Sequence, residues 1–79
     1  MNMQRGEYEI EVRTHALEQS LERQIPWELV KATIYRGKFD SFGKHGVKIW
    51  KEFNIGRITC VGFREGYMLK IVTITINRW

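Results

Sequence analysis

A histidine and an arginine, eight positions apart in the N-terminal third of this chain, are suited to act together on a phosphate ester. His15 can accept or donate a proton near neutral pH, because the imidazole pKa lies close to neutrality. Arg23 can hold phosphate oxygens, because its guanidinium is always charged and presents its donors in a fixed fork. Cleavage of RNA through the ribose 2′-hydroxyl needs such a base, cations for the developing charge and an acid, but no metal. The pair therefore predicts metal-independent phosphodiester chemistry.

Further candidate residues lie in the C-terminal part of the chain. We expect Arg57, Arg64 and Thr73 to complete the catalytic set in the concave face of a sheet. The RNA-binding candidates are cations and an aromatic side chain on which a base can stack: Lys44, Lys48, Trp50 and Lys51. A structural alternative exists for each of them. His15 and Arg23 can cap or clamp backbone carbonyls, and cations on a sheet can be solvated surface charges.

The charge of the chain is divided unevenly along its length. Residues 1–28 carry three arginines against six glutamates (net −3), whereas residues 29–79 carry ten lysines and arginines against three acids (net +7). The whole chain has a formal net charge of +4. A basic C-terminal two-thirds predicts a polyanionic partner, of which RNA is the first candidate. The alternative is that the acidic N-terminal strand neutralises the basic sheet beside it.

Length and cysteine content limit the architecture. The 79 residues leave room for a single domain over residues 1–79, with no linker to a second. The single Cys60 excludes an internal disulfide, and it forms no metal-binding pattern with His15 and His45, so we expect no metal site and no cofactor. Acidic residues follow Met1 closely and no apolar run is long enough for a membrane span. We therefore expect a cytoplasmic protein without a signal peptide or membrane contact.

The N-terminal third predicts a strand followed by two helices. Alternating apolar and charged residues over 7–13 indicate a half-buried strand, and its outer glutamates suit an edge position. Thr14 is the predicted N-cap of a helix over residues 15–22, in which Leu17 and Leu21 form the buried stripe. A second helix is predicted to start at the proline that follows, because a missing N–H is harmless in the first turn.

From the helix stop at Gly37 onward, the pattern is that of strands. Strands are predicted over residues 38–42, 47–54, 57–64 and 67–76, with glycine-containing turns between them. The last strand is apolar on both faces in its middle, which favours a central position in the sheet. The chain therefore predicts an α+β fold with the order β-α-α-β-β-β-β, in which two helices pack on one face of a mainly antiparallel sheet.

Several of these residues form a pattern that resembles a known family. The chain has a His-Ala pair at 15–16, Arg23, an Ile-Pro helix start at 25–26, and the strand segments Cys-Val-Gly at 60–62 and Ile-Val-Thr-Ile at 71–74. This pattern resembles the domain-of-unknown-function family 4258, which is grouped with the RelE- and BrnT-like toxin ribonucleases. The resemblance covers nearly the whole chain and implies a RelE-like fold with a curled sheet. It also implies a site that draws arginine and lysine from that sheet.

The resemblance implies an endoribonuclease, the toxin of a toxin–antitoxin pair, whose antitoxin protein covers the basic sheet with an acidic or amphipathic segment. Gln19 departs from the family pattern, in which an arginine is common at this position, and glutamine can hydrogen-bond a phosphate but cannot neutralise it. The departure favours an alternative in which a catalytically silent domain binds RNA or a partner protein through the same surface. A third alternative is a dimerisation module built on Trp50 and the last strands, which would make the chain a homodimer.

Overall fold

The helices and strands follow the predicted α+β pattern, with one additional strand near the N-terminus. A computed structural model describes all 79 residues. The element order is β1 (Asn2–Arg5), β2 (Tyr8–Val12), α1 (Thr14–Glu22), α2 (Trp27–Arg36), β3 (Lys38–Phe42), β4 (Gly46–Phe53), β5 (Gly56–Glu65) and β6 (Met68–Arg78). Neither helix has the length and apolar character that crossing a membrane requires.

The six strands form one sheet in the order β1-β2-β6-β5-β4-β3. Strand β2 runs parallel to β6, and all other neighbours are antiparallel. The central position predicted for the last strand is confirmed, whereas the edge position predicted for residues 7–13 is wrong, because β1 covers β2. Strand β1 escaped prediction because Met3 is its only large apolar side chain. Its pairing depends on the hairpin turn at Gly6, whose φ of +60° suits glycine.

Both helices pack on one face of the sheet, as predicted. Helix α1 lies along β6, and α2 crosses β4 and β5. The buried core between the helices and the sheet consists mainly of β-branched and leucine side chains: Ile10, Val12, Val30, Ile34, Val47, Ile49, Ile58, Leu69, Ile71 and Ile74. Strand β6 keeps three of them on this face because a bulge opposite Val61 and Gly62 shifts its alternation by one residue.

Helix α1 differs from its prediction in both its cap and its buried side. The helix already includes Thr14, and the preceding Arg13 takes the N-cap position without a side-chain cap bond. The buried residues are Ala16 and Ser20, whereas Leu21 is largely exposed. Small side chains face the sheet because α1 lies close to β6; of the two predicted leucines, Leu17 packs partly buried against the core and Leu21 is turned away from it.

The sheet curls toward the helices. The Tyr8 and Phe39 rings stack at 5.7 Å between centroids, although three strands separate β2 from β3. In a flat sheet those two strands would lie roughly 19 Å apart, since neighbouring strands are about 4.8 Å apart. The concave face is therefore filled by the core and the helices, and the face left open is the convex one. The residues predicted for a concave-face site are divided: Arg57 and Thr73 lie on the convex face, whereas Arg64 pairs with the core residue Leu69 and contacts the Tyr8 hydroxyl on the concave side.

Candidate nucleic-acid interface

The convex face of the sheet, which we call the open face, has no helix over it. Alternation along β3 to β6 places the side chains of Lys48, Trp50 and Arg57 there, opposite the buried core residues of the same strands. The wider face is rich in cations, aromatics and threonines: Lys38, Lys48, Trp50, Arg57, Thr59, Phe63, Lys70, Thr73 and Thr75. Cations beside aromatic rings on an exposed sheet match what single-stranded nucleic acid binds.

A depression at one end of the sheet is lined by three cations and one indole. We call it the basic corner and define it by Arg36, Lys38, Trp50 and Lys51. It has a volume of about 310 Å³ and is also lined by the backbone at Gly37 and by a single carboxylate residue. The end of α2, the start of β3 and the middle of β4 meet here, so residues that are distant in sequence converge.

None of the three basic-corner cations is neutralised by a carboxylate. The chain has four ion pairs, and their basic partners are Arg13, Lys31, Arg57 and Lys70. The carboxylate residue in the depression, Glu52, contacts Arg57, with 3.1 Å between Nη2 and Oε2. The charges of the basic corner are therefore free to meet an anion without breaking an existing pair.

The Trp50 indole is fixed at the centre of this group. Its Nε1 donates a hydrogen bond to Asp40 Oδ2 at 3.1 Å. The Lys38 Nζ lies 5.2 Å from the ring centroid and the Arg57 Cζ lies 4.5 Å from it, within the range of cation–π attraction. The cations are thus ordered by the ring, and the ring by the cations and the carboxylate.

Gly37 allows this corner to form. A Cβ at this position would lie 2.5 Å from the Thr33 carbonyl oxygen and 2.7 Å from the Trp50 carbonyl oxygen. Its φ of −68° is one that any residue adopts, so the requirement for glycine comes from close approach. The stop predicted at Gly37 is confirmed, and the glycine also brings the end of α2 against β4.

The predicted pair His15 and Arg23 has a different setting. The Arg23 Nη1 donates to the Ile74 carbonyl oxygen at 2.7 Å, and the Ile74 N–H donates to Gln19 Oε1 at 3.2 Å. We call this contact of Gln19 and Arg23 with Ile74 the α1–β6 seam. His15 is exposed in the first turn of α1 and makes no side-chain hydrogen bond. Arg23 thus clamps a backbone carbonyl, which was the structural alternative to a catalytic role. The carbonyl belongs to β6 and not to the inter-helix turn.

The other predicted site residues are spread over four places. Arg57, Thr73 and Lys48 lie on the open face, and Lys51 lies in the basic corner. Lys44 is exposed in the turn before β4. Arg64 lies at the opposite end of the sheet, where its Nη1 is 3.3 Å from the Tyr8 hydroxyl. It lines a shallow depression of about 530 Å³ together with His45, Phe63, Glu65 and Gly66.

Burial raises the pKa of the Cys60 thiol to about 12, because the core disfavours its charged form. Cys60 is completely buried, so it is an inert core residue and not a nucleophile. No group of three histidine, cysteine or carboxylate side chains is arranged to hold a metal ion.

The sequence interpretation missed Arg36 and Lys38. The sequence does contain an indication of their role, because the two cations flank Gly37, where the helix ends. The chain turns there, so both side chains lie close to the strand against which the helix ends. Which strand it approaches is a tertiary fact that the sequence does not display. No known protein family, curated protein or solved structure matches this chain.

Proposed function

We propose that this chain is an RNA-binding module that takes single-stranded RNA on its open face, with the phosphates held at the basic corner. The observation that carries the proposal is that Arg36, Lys38 and Lys51, all without carboxylate partners, line one depression together with Trp50. An uncompensated cation cluster beside an aromatic ring suits a phosphate next to a base.

The charge balance of the chain supports a polyanionic partner over a small anion. Residues 29–79 carry a net charge of +7 and include strands β3 to β6, whereas β2 of the same sheet places Glu11 beside Lys70 on the open face. Lysines and arginines that neutralise phosphates release condensed counterions, and this release provides much of the affinity. A cation already paired within the protein contributes less, so the three free basic-corner cations matter most.

Shape favours a single strand over a duplex. The aromatic side chains Trp50 and Phe63 lie on a convex sheet with cations over both rings, so a splayed base would stack on them by displacing those cations. The sheet offers no helix or ribbon that would enter a groove. Stacking on an aromatic ring contributes about 1–3 kcal/mol per base and tolerates any sequence. The module is therefore expected to prefer flexible RNA with little sequence selectivity.

The ribonuclease function that the resemblance implies is the second candidate, and one arrangement favours a location for it. Only one depression brings a histidine and an arginine together, namely the one lined by His45 and Arg64. The predicted pair His15 and Arg23 shares no depression, and Arg23 already donates to Ile74. If RNA is cut, we expect His45→Ala to reduce cutting more than His15→Ala does.

The experiment compares two double variants that lose the same charge. Fluorescence anisotropy of a labelled oligouridine measures affinity between low and moderate salt. For Lys38→Ala/Lys51→Ala, the slope of log K against log salt should become shallower by about 1.4, since each single-strand phosphate contact contributes about 0.7. The control Arg13→Ala/Lys31→Ala removes two cations that are already paired, and its slope should change by less than half as much.

Three outcomes separate the candidates. Equal losses in both double variants would mean that only net charge matters, and would overturn the basic corner as the binding site. No binding of the wild type would overturn RNA binding itself. Shortening of the oligouridine on a denaturing gel, in the presence of EDTA, would establish the ribonuclease candidate, whereas saturable binding of RNA that stays intact after prolonged incubation would support a binding module.

A further inference from the structure

Helix α1 presents its largest apolar side chains to solvent. Leu21 is 77% exposed, and Leu17 is only partly covered. Together with Ile25 and Trp27 they line a depression of about 280 Å³ between α1 and the start of α2, which Met1 also borders. We call this depression the apolar groove. An apolar surface of this kind on a helix normally marks an interaction site.

The exposure of the leucines is fixed by the α1–β6 seam. With about 100° per residue, Gln19 and Arg23 point within roughly 40° of each other, whereas Leu21 points roughly 160° away from Arg23. Rotating α1 to bury Leu21 would therefore carry Gln19 and Arg23 away from Ile74 and break both hydrogen bonds. The leucines stay outside because polar groups on the opposite side of the helix hold α1 in place.

The border of the apolar groove is acidic. Glu18 precedes Leu21 by three positions, so the two side chains are neighbours on the exposed side of α1, and Glu22 follows Glu18 by one turn. Neither glutamate is in an ion pair, and the third carboxylate nearby, Glu28, has only a distant contact of 3.9 Å with Lys31. The groove therefore combines an apolar floor with free negative charge along one side.

We propose that the apolar groove binds an amphipathic helical segment of another protein, with aliphatic residues on the floor and lysines or arginines against Glu18 and Glu22. A helix with an apolar stripe fits a groove between two helices. An anionic membrane is disfavoured because the acidic border would repel it. A symmetric pair of copies is disfavoured too, since it would bring the glutamates of both copies together.

This second surface is independent of the RNA-binding proposal. The groove is built by α1 and the first turn of α2, whereas the basic corner begins at the last residue of α2. The helix α2 is ten residues long, or roughly 15 Å. A module that binds RNA at one end and a basic segment at the other could hold both at once.

The test uses two synthetic helical peptides as probes. Both carry leucines at positions i, i+3, i+4 and i+7; one has lysines on its polar side and the other has glutamates. In a 15N-NMR titration of the whole chain, the lysine peptide should shift the amide of Leu21 and the indole N–H of Trp27 in a saturable manner. The glutamate peptide should bind at least about tenfold more weakly, because its charges oppose Glu18 and Glu22.

Matched variants then locate the contact. Leu21→Asp should weaken the lysine peptide at least about tenfold, and it leaves the fold intact because the side chain is mostly in solvent. Tyr67→Asp makes a comparable change at a 69% exposed position in the turn before β6 and should leave binding unchanged. Binding of both peptides with equal affinity, or no saturable shifts, would overturn the proposal. A concentration-dependent dimer in sedimentation that Leu21→Asp abolishes would assign the groove to a second copy.

Discussion

The α1–β6 seam and the basic corner each have an arginine at the end of a helix, yet the side chains of the two arginines make different contacts. Arg23 directly follows α1 and donates to the Ile74 carbonyl oxygen at 2.7 Å. Arg36 is the last residue of α2, and its side chain has neither a hydrogen bond nor a carboxylate partner. The same residue type in the same local position is structural in one place and available to a ligand in the other.

The cause is the pairing of the strands that each arginine approaches. Strand β2 pairs with β6 only as far as Ile71, so the following part of β6 has no strand on that side. Its buried backbone groups need other partners, and Gln19 and Arg23 supply an acceptor and a donor at Ile74. At the basic corner, β3 and β4 already pair with each other, and the cations meet no free buried carbonyl. At this point Arg23 takes the place of the strand partner that β6 lacks.

The largest effect that this comparison predicts is on stability at the seam. Arg23→Ala leaves the buried Ile74 carbonyl without its partner, so the free energy of unfolding should fall by about 1–3 kcal/mol. For a domain of this size the melting temperature should fall by at least about 4 °C. Urea denaturation measures the change, and RNA affinity of the folded variant should stay as in the wild type. A stable variant that loses RNA binding would reverse the roles of the two arginines.

The rate at which a reagent labels the Cys60 thiol is a second measure of the stability of Arg23→Ala. It is fully buried, and its pKa of about 12 keeps it protonated at pH 8 in the folded chain, so a thiol reagent reaches it only after opening. Destabilisation by about 1–3 kcal/mol should raise the labelling rate about 5- to 150-fold at pH 8. If the labelling rate of Arg23→Ala equals that of the wild type, Arg23 does not secure the sheet.

Local pattern predicted most of the fold, and it failed where contacts between distant segments decide. The period-2 alternation and the proline- and glycine-bounded helices were sufficient for the later strands and for α2. The strand β1 was missed because its four residues carry one core side chain, and its place in the sheet comes from pairing with β2. The buried side of α1 was predicted from its leucines, because their spacing indicates an apolar stripe. That spacing does not determine which side of the helix packs against the sheet.

The candidate site was only partly predictable for a related reason. Trp50 and Lys51 were proposed from the sequence, although consecutive strand residues point to opposite faces of a sheet and only the tertiary structure has both lining one depression. Arg36 and Lys38 join them only because α2 ends against β4, and no local pattern states that contact. Gln19 was interpreted as a lost phosphate ligand, whereas the structure has it accepting from the Ile74 N–H. A cation or amide has a role only once its nearest partner is known.

An intermediate effect is expected at the basic corner. Arg36→Ala removes an exposed side chain with no partner, so the free energy of unfolding should change by no more than about 0.5 kcal/mol. The salt dependence of oligouridine binding should become shallower by about 0.7, which corresponds to one phosphate contact. Arg13→Ala, which breaks a surface pair with Glu11, is the control and should leave the slope nearly unchanged. Loss of stability without a change in slope would place Arg36 with Arg23 as a structural residue.

The smallest expected effect is a gain in RNA affinity. Asp40→Asn removes the carboxylate that contacts Trp50, and the amide oxygen can still accept from the indole Nε1. With one repulsive charge fewer beside the phosphate path, oligouridine should bind about two- to fivefold more tightly at low salt. The gain should vanish near 1 M salt, where the screening length is about 3 Å. Glu18→Gln makes the same change of charge on α1, far from the basic corner, and should bind RNA as the wild type does. The two variants have equal net charge. A gain in RNA affinity confined to Asp40→Asn would therefore locate the RNA at the basic corner, whereas equal gains in both variants would mean that only net charge affects RNA affinity.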